Sequence, residues 1–159
     1  MKRRAIIGLG ISCLLASCAH QGQSGLPGMA WSLNHAEGEG EGAKLAYGQP
    51  QSDNVLIMMT CQPRSGRVLV SMTAPMGAPA DAIQIASRDH NSRLAADATP
   101  GMGEGASYVE AQAAVTDPAL VSFEATGDLA VMANGHRTPL PVRGPERRAV
   151  SDFFASCRA

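Results

Sequence analysis

The chain has 159 residues, and its 13 lysine and arginine residues nearly balance its 14 aspartate and glutamate residues, which gives a net charge of −1. This length supports one domain with a hydrophobic core of its own. Because the charge is balanced and no basic stripe is present, no nucleic-acid partner is expected.

The first 17 residues have the composition of a secretory signal. The basic residues Lys2, Arg3 and Arg4 precede an apolar run at 5–16. A positive start, a short apolar stretch and small residues before a cut site are typical of such signals. The run is shorter than the roughly 20 residues that a helix needs to span a bilayer. We therefore predict that the segment directs export and is then removed.

This signal ends in one leucine, two small residues and a cysteine: Leu15, Ala16, Ser17 and Cys18. The four positions resemble the lipobox of bacterial lipoproteins. The resemblance implies a signal peptide at 1–17, cleavage before Cys18, and a lipid attached to that cysteine. The alternative is an ordinary small-x-small cleavage site, which would release a soluble secreted protein.

The residue after the lipid cysteine bears on the destination of the protein. In Gram-negative lipoproteins an aspartate at this position favours retention in the inner membrane, and here the position is Ala19. The resemblance therefore implies an anchor in the outer membrane, facing the periplasm. Two or three acyl chains would make this attachment effectively permanent, since a single chain binds only reversibly.

Two cysteines remain after the N-terminal ones are assigned. Cys13 leaves with the signal and Cys18 carries the lipid, so Cys61 and Cys157 form the leftover pair. Two such cysteines in an oxidising compartment most simply form a disulfide. A thiol site or a metal site is the alternative, but neither is supported by C-x-x-C or histidine spacing.

Downstream of Cys18 the composition divides the chain in two. Residues 18–28 are rich in Gln, Gly and Ser and are predicted to form a lipidated flexible tether, followed by a single β-rich domain at 29–159. Short segments of period two predict strands in this domain. They lie near 31–33, 43–47, 54–61, 67–73, 82–87, 93–96, 107–115, 128–133 and 136–142. The unbroken apolar run at 55–59 predicts a central strand covered on both faces.

Three local signals complete the predicted fold. Asp117 and Pro118 form the start of a helix of one or two turns through Phe123, with Gly127 as the stop. Asn134-Gly135 predicts a tight hairpin. A C-terminal helix opening near Pro145 carries an apolar stripe at helical spacing, formed by Val150, Phe153, Phe154 and Cys157. We therefore expect a mainly β fold, an antiparallel sandwich or flattened barrel of about eight short strands with one C-terminal α-helix stapled to it through Cys157.

Patterns for catalysis are weak. The chain has no G-x-S-x-G nucleophile elbow, and Ser65 between Arg64 and Gly66 is better interpreted as a turn residue. The four histidines after the signal are widely separated: His20, His35, His90 and His136. We interpret them as solvated, with Asp89, His90 and Asp97 as the alternative ligand group. The prediction is therefore no catalytic residue, no metal ligand and no cofactor.

Two other metal chemistries are weighed against structural roles. Glu37, Glu39 and Glu41 alternate with glycine, whereas an EF-hand loop needs oxygen ligands through its twelfth position. Methionines in predicted strands could bind a soft metal, but they belong to apolar faces, so we interpret them as core. These are Met58, Met59, Met72 and Met132.

Four segments give the domain a loose resemblance to small all-β exported bacterial proteins of uncharacterised function: 45–48, 55–61, 127–131 and 153–157. This resemblance implies no activity. The leading hypothesis is a non-enzymatic, membrane-anchored envelope lipoprotein that binds another envelope protein or the cell wall. The alternatives are a small-molecule carrier with an apolar barrel interior and an inhibitor of an exogenous hydrolase.

Overall fold

A computed structural model describes residues 25–35, 42–74, 80–100 and 107–158. Within these ranges nine strands and two helices are formed. The strands are β1 (Ala30–His35), β2 (Ala43–Gly48), β3 (Val55–Cys61), β4 (Arg67–Ala74), β5 (Ala82–Ser87), β6 (His90–Pro100), β7 (Ser107–Ala114), β8 (Ala130–Ala133) and β9 (His136–Pro139). The helices are α1 (Pro118–Thr126) and α2 (Arg147–Arg158), and a 3-10 turn at Gly144–Glu146 precedes α2.

The strands form one curled antiparallel sheet in the order β1-β2-β3-β4-β7-β6-β5-β8-β9. Strand β6 is the corner of the curl, because residues 90–95 pair with β5 while residues 96–100 pair with β7. The predicted mainly β, antiparallel fold with a C-terminal helix is therefore confirmed. The sheet is a half-barrel whose two edge strands are β1 and β9.

The two helices pack on the side of the sheet where the core lies. α2 contacts β1 and β2, α1 contacts β5 and β6, and the helices touch each other. Five of the six aromatic residues form one continuous cluster there, with ring centroids 5.0–6.0 Å apart. In order of contact they are Tyr47, Trp31, Phe123, Phe154 and Phe153. Burial of rings of this size is a large stabilising term in a small core.

Strand β3 differs from its prediction. Ile57, Met59 and Cys61 are buried, but Leu56 and Met58 are only partly covered. The strand thus follows the alternation of a sheet with one core face, and it is not covered equally on both faces. The continuous run of apolar letters concealed that alternation, because the outward residues are apolar too.

Both ends of β6 and the end of β9 also differ from their predictions. The β5–β6 turn is a two-residue turn at Arg88 and Asp89, so β6 begins at His90 rather than at 93, and it runs to Pro100 rather than to 96. Strand β9 ends at Pro139 rather than at residue 142. Beyond it the chain stays in register with the residues before β8, because the Leu140 N–H donates to the Leu129 carbonyl and the Val142 N–H to the Gly127 carbonyl.

Helix α1 begins at the predicted residue and is stopped by Gly127 as predicted, but it continues past Phe123 to Thr126. The Asp117 carboxylate accepts hydrogen bonds from the backbone N–H groups of Ala119 (2.9 Å) and Leu120 (3.3 Å), and from the Ser92 hydroxyl at 2.6 Å. Gly127 ends the helix with φ = 71°, a left-handed conformation that glycine adopts without steric cost. The cap therefore holds both the helix and the corner strand β6.

We expect Asp117→Ala to lower the free energy of unfolding by about 1–2 kcal/mol, because two backbone N–H groups lose their acceptor. Urea unfolding followed by circular dichroism measures this. Asp53→Ala, at an exposed turn position, is the matched control and should change the midpoint little. Equal losses in the two variants would contradict a capping role for Asp117.

Candidate functional site

The predicted pairing of Cys61 and Cys157 is present as a disulfide. The two residues are 96 positions apart, their Cα atoms are separated by 5.7 Å, and both are buried. The bond joins the end of β3 to the last turn of α2. The Cys157 carbonyl also accepts a hydrogen bond from the Gly66 N–H in the β3–β4 turn at 3.1 Å. Both sulfurs are engaged in a buried covalent link, which is a structural arrangement.

The stripe on α2 explains why Cys157 reaches this partner. Val150, Phe153, Phe154 and Cys157 are the buried residues of the helix, as predicted from their spacing. Ser156 lies beside the stripe, with its hydroxyl 3.9 Å from the Cys61 sulfur. Because Phe153 and Phe154 belong both to this stripe and to the aromatic cluster, the disulfide lies at the end of the same packed region.

The histidines and the serine that the sequence analysis weighed as site residues do not form a cluster in the described ranges. His35, His90 and His136 are each exposed, and the Ser65 hydroxyl bonds the backbone of Arg67, as a turn residue does. No three His, Cys, Asp or Glu side chains of the described ranges are grouped so that they could hold a metal ion. The structure thus does not bring Asp89, His90 and Asp97 together.

Several predicted positions fall outside the described residues. These are the lipid attachment residue Cys18, His20, and the three glutamates Glu37, Glu39 and Glu41. Of the methionines, Met59 and Met72 belong to the core, whereas Met58 and Met132 are half-buried. The described part of the chain has no helix long and apolar enough to cross a membrane.

Sequence reasoning missed the environment of Tyr47. Its side chain is fully buried, and its hydroxyl has no hydrogen-bond partner. Burial raises the pKa of this hydroxyl, while the nearby Leu26 backbone and Arg143 oppose the rise without providing a well-formed hydrogen bond. Alternation along β2 places residue 47 inward, but it carries no signal that the hydroxyl would be left without a partner.

The first described residues, 25–29, lie over this tyrosine. A side chain at Gly25 would meet the Tyr47 hydroxyl at 2.5 Å and Pro141 at 2.9 Å, so only glycine allows this approach. Leu26 packs on the core, three residues before the predicted domain start at Met29. The carbonyl of Met29 accepts a hydrogen bond from Arg143 at 2.7 Å. The residues that connect the domain to its N-terminal segment are therefore part of the fold.

One open cleft lies where β4, β5, β7 and β8 approach each other. Its volume is about 210 Å³, and its apolar lining includes Met72, Ile83, Val109 and Val131. The ion pair of Arg93 and Asp81, 2.7 Å apart, stands at its edge. This volume is below the roughly 300–1,000 Å³ of most small-molecule sites, whereas two more open surface depressions, one beside Thr60 and one beside Ala46, measure about 510 and 550 Å³.

Comparisons with protein-family models, with curated proteins and with solved structures found no match to this chain. The loose resemblance of the domain to small all-β exported proteins, and the lipobox resemblance, therefore stay predictions.

Removing the disulfide should destabilise the domain strongly. We expect Cys61→Ala combined with Cys157→Ala to lower the free energy of unfolding by about 2–5 kcal/mol, since a long loop in the unfolded chain is no longer closed. Chemical unfolding without reductant measures this. Cys18→Ser, which leaves the pair intact, is the control, and an unchanged double variant would show that the bond adds no stability.

Replacing Tyr47 tests its buried hydroxyl. The folded protein keeps this proton at a pH where an unfolded tyrosine loses it, near 10, so stability is full below that pH and is lost as the pH rises. At about pH 8, Tyr47→Phe should leave the free energy of unfolding unchanged or raise it by up to about 1 kcal/mol, because an unpaired buried hydroxyl is removed. It should also lose less stability between about pH 8 and about pH 11.

Tyr108→Phe is the matched control, because it removes the second tyrosine hydroxyl of the chain from a half-exposed position on β7. An equal change in alkaline stability in the two variants would contradict the role of burial at Tyr47.

Proposed function

We propose that this chain is a lipid-anchored protein of the cell envelope, with its lipid on Cys18, and that its domain acts by binding another envelope component. The single observation that carries the proposal is the buried Cys61–Cys157 disulfide. Structural disulfides persist in oxidising compartments such as the periplasm and are rare in the cytosol. Such a bond supports export, and export is what the signal at 1–17 predicts.

The cysteine count connects the disulfide to the anchor. Four cysteines are present, and the disulfide uses two of them. Cys13 lies inside the predicted signal, so Cys18 is the one cysteine of the mature chain left for another purpose. Its position directly after Leu15, Ala16 and Ser17 favours acylation, which is how the lipobox resemblance would use it.

The packing of the core supports surface binding rather than transport of a ligand inside the barrel. The interior of the curl is filled by five aromatic side chains together with Leu45, Ile57, Met59 and Leu120. A carrier would need an interior cavity for its cargo. The cleft beside Met72 is the observation that favours the carrier alternative, but its volume of about 210 Å³ is below that of most small-molecule sites.

The anchor is tested by feeding cells a fatty acid with an alkyne tag and detecting the label on the purified protein. We expect label on the native chain and its complete loss in Cys18→Ser, with the protein released from the membrane fraction. Cys13→Ser keeps the predicted acylated residue and is the matched control. Label that survives in Cys18→Ser would exclude this anchor.

The binding role is tested by crosslinking in intact cells. Residues 1–28 fused to an unrelated domain provide the control for contacts made by the anchor alone. Recovery of a defined partner only with the native domain would support the proposal, and recovery of the same set with both proteins would contradict it.

A further inference from the structure

Five arginines line one continuous part of the surface, which we name the arginine belt: Arg88, Arg137, Arg143, Arg147 and Arg148. Contacts link its members. Arg143 lies 3.4 Å from Glu146, and the next residue, Arg147, donates to the Ala125 carbonyl at 3.4 Å. Arg147 also lies over Gly127, which is followed in the chain by Asp128.

Asp128 joins the other end of the belt. Its two carboxylate oxygens lie 3.6 Å from Arg88 and 3.5 Å from Arg137. These contacts, together with the chain neighbours Glu146-Arg147 and Gly127-Asp128, place the five arginines between the 3-10 turn before α2, the end of α1, the β5–β6 turn and strand β9.

Two carboxylates beside the belt are more buried than the arginines that they pair with. The carboxylates of Asp128 and Glu146 are only 16% and 12% exposed, whereas Arg88 is 61% and Arg148 is 91% exposed. Asp152, which pairs with Arg148 at 3.5 Å, is half-exposed one helical turn further on. The two buried carboxylates lie beneath more exposed guanidinium groups. With the exposed Asp89 and Asp152 counted, the five arginines exceed the four neighbouring carboxylates by one charge, although the whole chain is slightly acidic.

The belt begins where the N-terminal segment enters the fold. Arg143 donates to the Met29 carbonyl. A Cβ placed on Gly25 would lie 2.9 Å from Pro141, two residues before Arg143. From Cys18 to Gly25 the chain can span at most about 25 Å even when fully extended. A domain of about 130 residues is about 36 Å across. A lipid on Cys18 would therefore hold this end of the domain close to the membrane.

We propose that the arginine belt docks on anionic phospholipid headgroups of the membrane in which the protein is anchored. The proposal rests on the proposed lipid anchor at Cys18. A guanidinium group binds a phosphate through two parallel N–H groups. Basic side chains beside an anchor gain from a negatively charged lipid surface within a Debye length. The belt would orient the domain so that the N-terminal end of α2 lies near the bilayer and its C-terminal end lies away from it.

The experiment uses the full chain carrying Cys13→Ser. Because Cys61 and Cys157 are paired, Cys18 is then the one free thiol, and it can be coupled to a maleimide lipid in vesicles. The vesicles contain phosphatidylcholine alone or with phosphatidylglycerol. Cyclohexanedione modifies accessible arginines, and peptide mass spectrometry gives the rate at each position.

We expect phosphatidylglycerol to slow modification of Arg147 and Arg148 about fivefold, the factor that corresponds to the usual attraction of one basic residue to an anionic surface. High salt should abolish the slowing. Arg64 is the internal control, because it lies in the β3–β4 turn, which contacts the opposite end of α2 through Gly66 and Cys157. Its rate should be the same in both lipids.

A charge variant adds a second measurement. Arg148→Gln should reduce the phosphatidylglycerol effect on Arg147, whereas Arg64→Gln should leave it unchanged. The proposal is overturned if Arg148 slows no more than Arg64, or if it slows equally in phosphatidylcholine alone. Because the coupling is chemical, this outcome is independent of acylation in cells, which the fatty-acid label reports separately.

Discussion

The bond between Cys61 and Cys157 and the packing of α2 around it are the constraint on which the rest of the domain depends. The sheet is curled but open, so its core needs a cover. Helix α2 provides that cover with one stripe of side chains, and the disulfide fixes the end of the helix to β3. A second long-range contact joins the two edges of the sheet: the Trp31 indole N–H donates to the Leu140 carbonyl at 3.0 Å. This bond links the edge strand β1 to the segment that follows the other edge strand, β9.

This arrangement explains how a chain with few aromatic residues builds a dense interior. Aromatic residues make up only 4% of the sequence, yet almost all of them meet in a single cluster. Rings from β1, β2, α1 and α2 contact one another, so both helices and the first two strands share one packing unit. Elsewhere the inward positions hold smaller residues, as at Ala111 and Ala113 of β7. Large aromatic side chains therefore fill the core beneath the helices, whereas smaller side chains fill it along β7.

The packing of residues 25–29 against Tyr47 leaves one buried polar group without a hydrogen bond. Tyr47 keeps an unpaired hydroxyl beneath Gly25, although buried polar groups are normally hydrogen-bonded. The same segment is held from outside by Arg143, the first residue of the arginine belt. A costly buried group and an exposed basic surface therefore lie at the one place where a lipid anchor would pull on the domain. Local departures of this kind are expected near functional positions.

The sequence by itself determined the features that obey local rules. Alternation identified most strands, Asp117 and Gly127 marked the limits of α1, Asn134-Gly135 marked the last hairpin, and a stripe of period 3.6 identified the buried face of α2. Cysteine parity predicted the disulfide, because assigning Cys13 to a signal and Cys18 to a lipid leaves one pairing. The tertiary structure alone decided that β4 pairs with β7, that β6 turns the corner of the sheet, and that the aromatic rings meet. It also decided that arginines from three separate stretches of the chain, at 88, 137 and 143–148, lie near the buried carboxylates of Asp128 and Glu146. These features join residues far apart in the chain, and their energies come from contacts and burial that no local pattern of letters encodes.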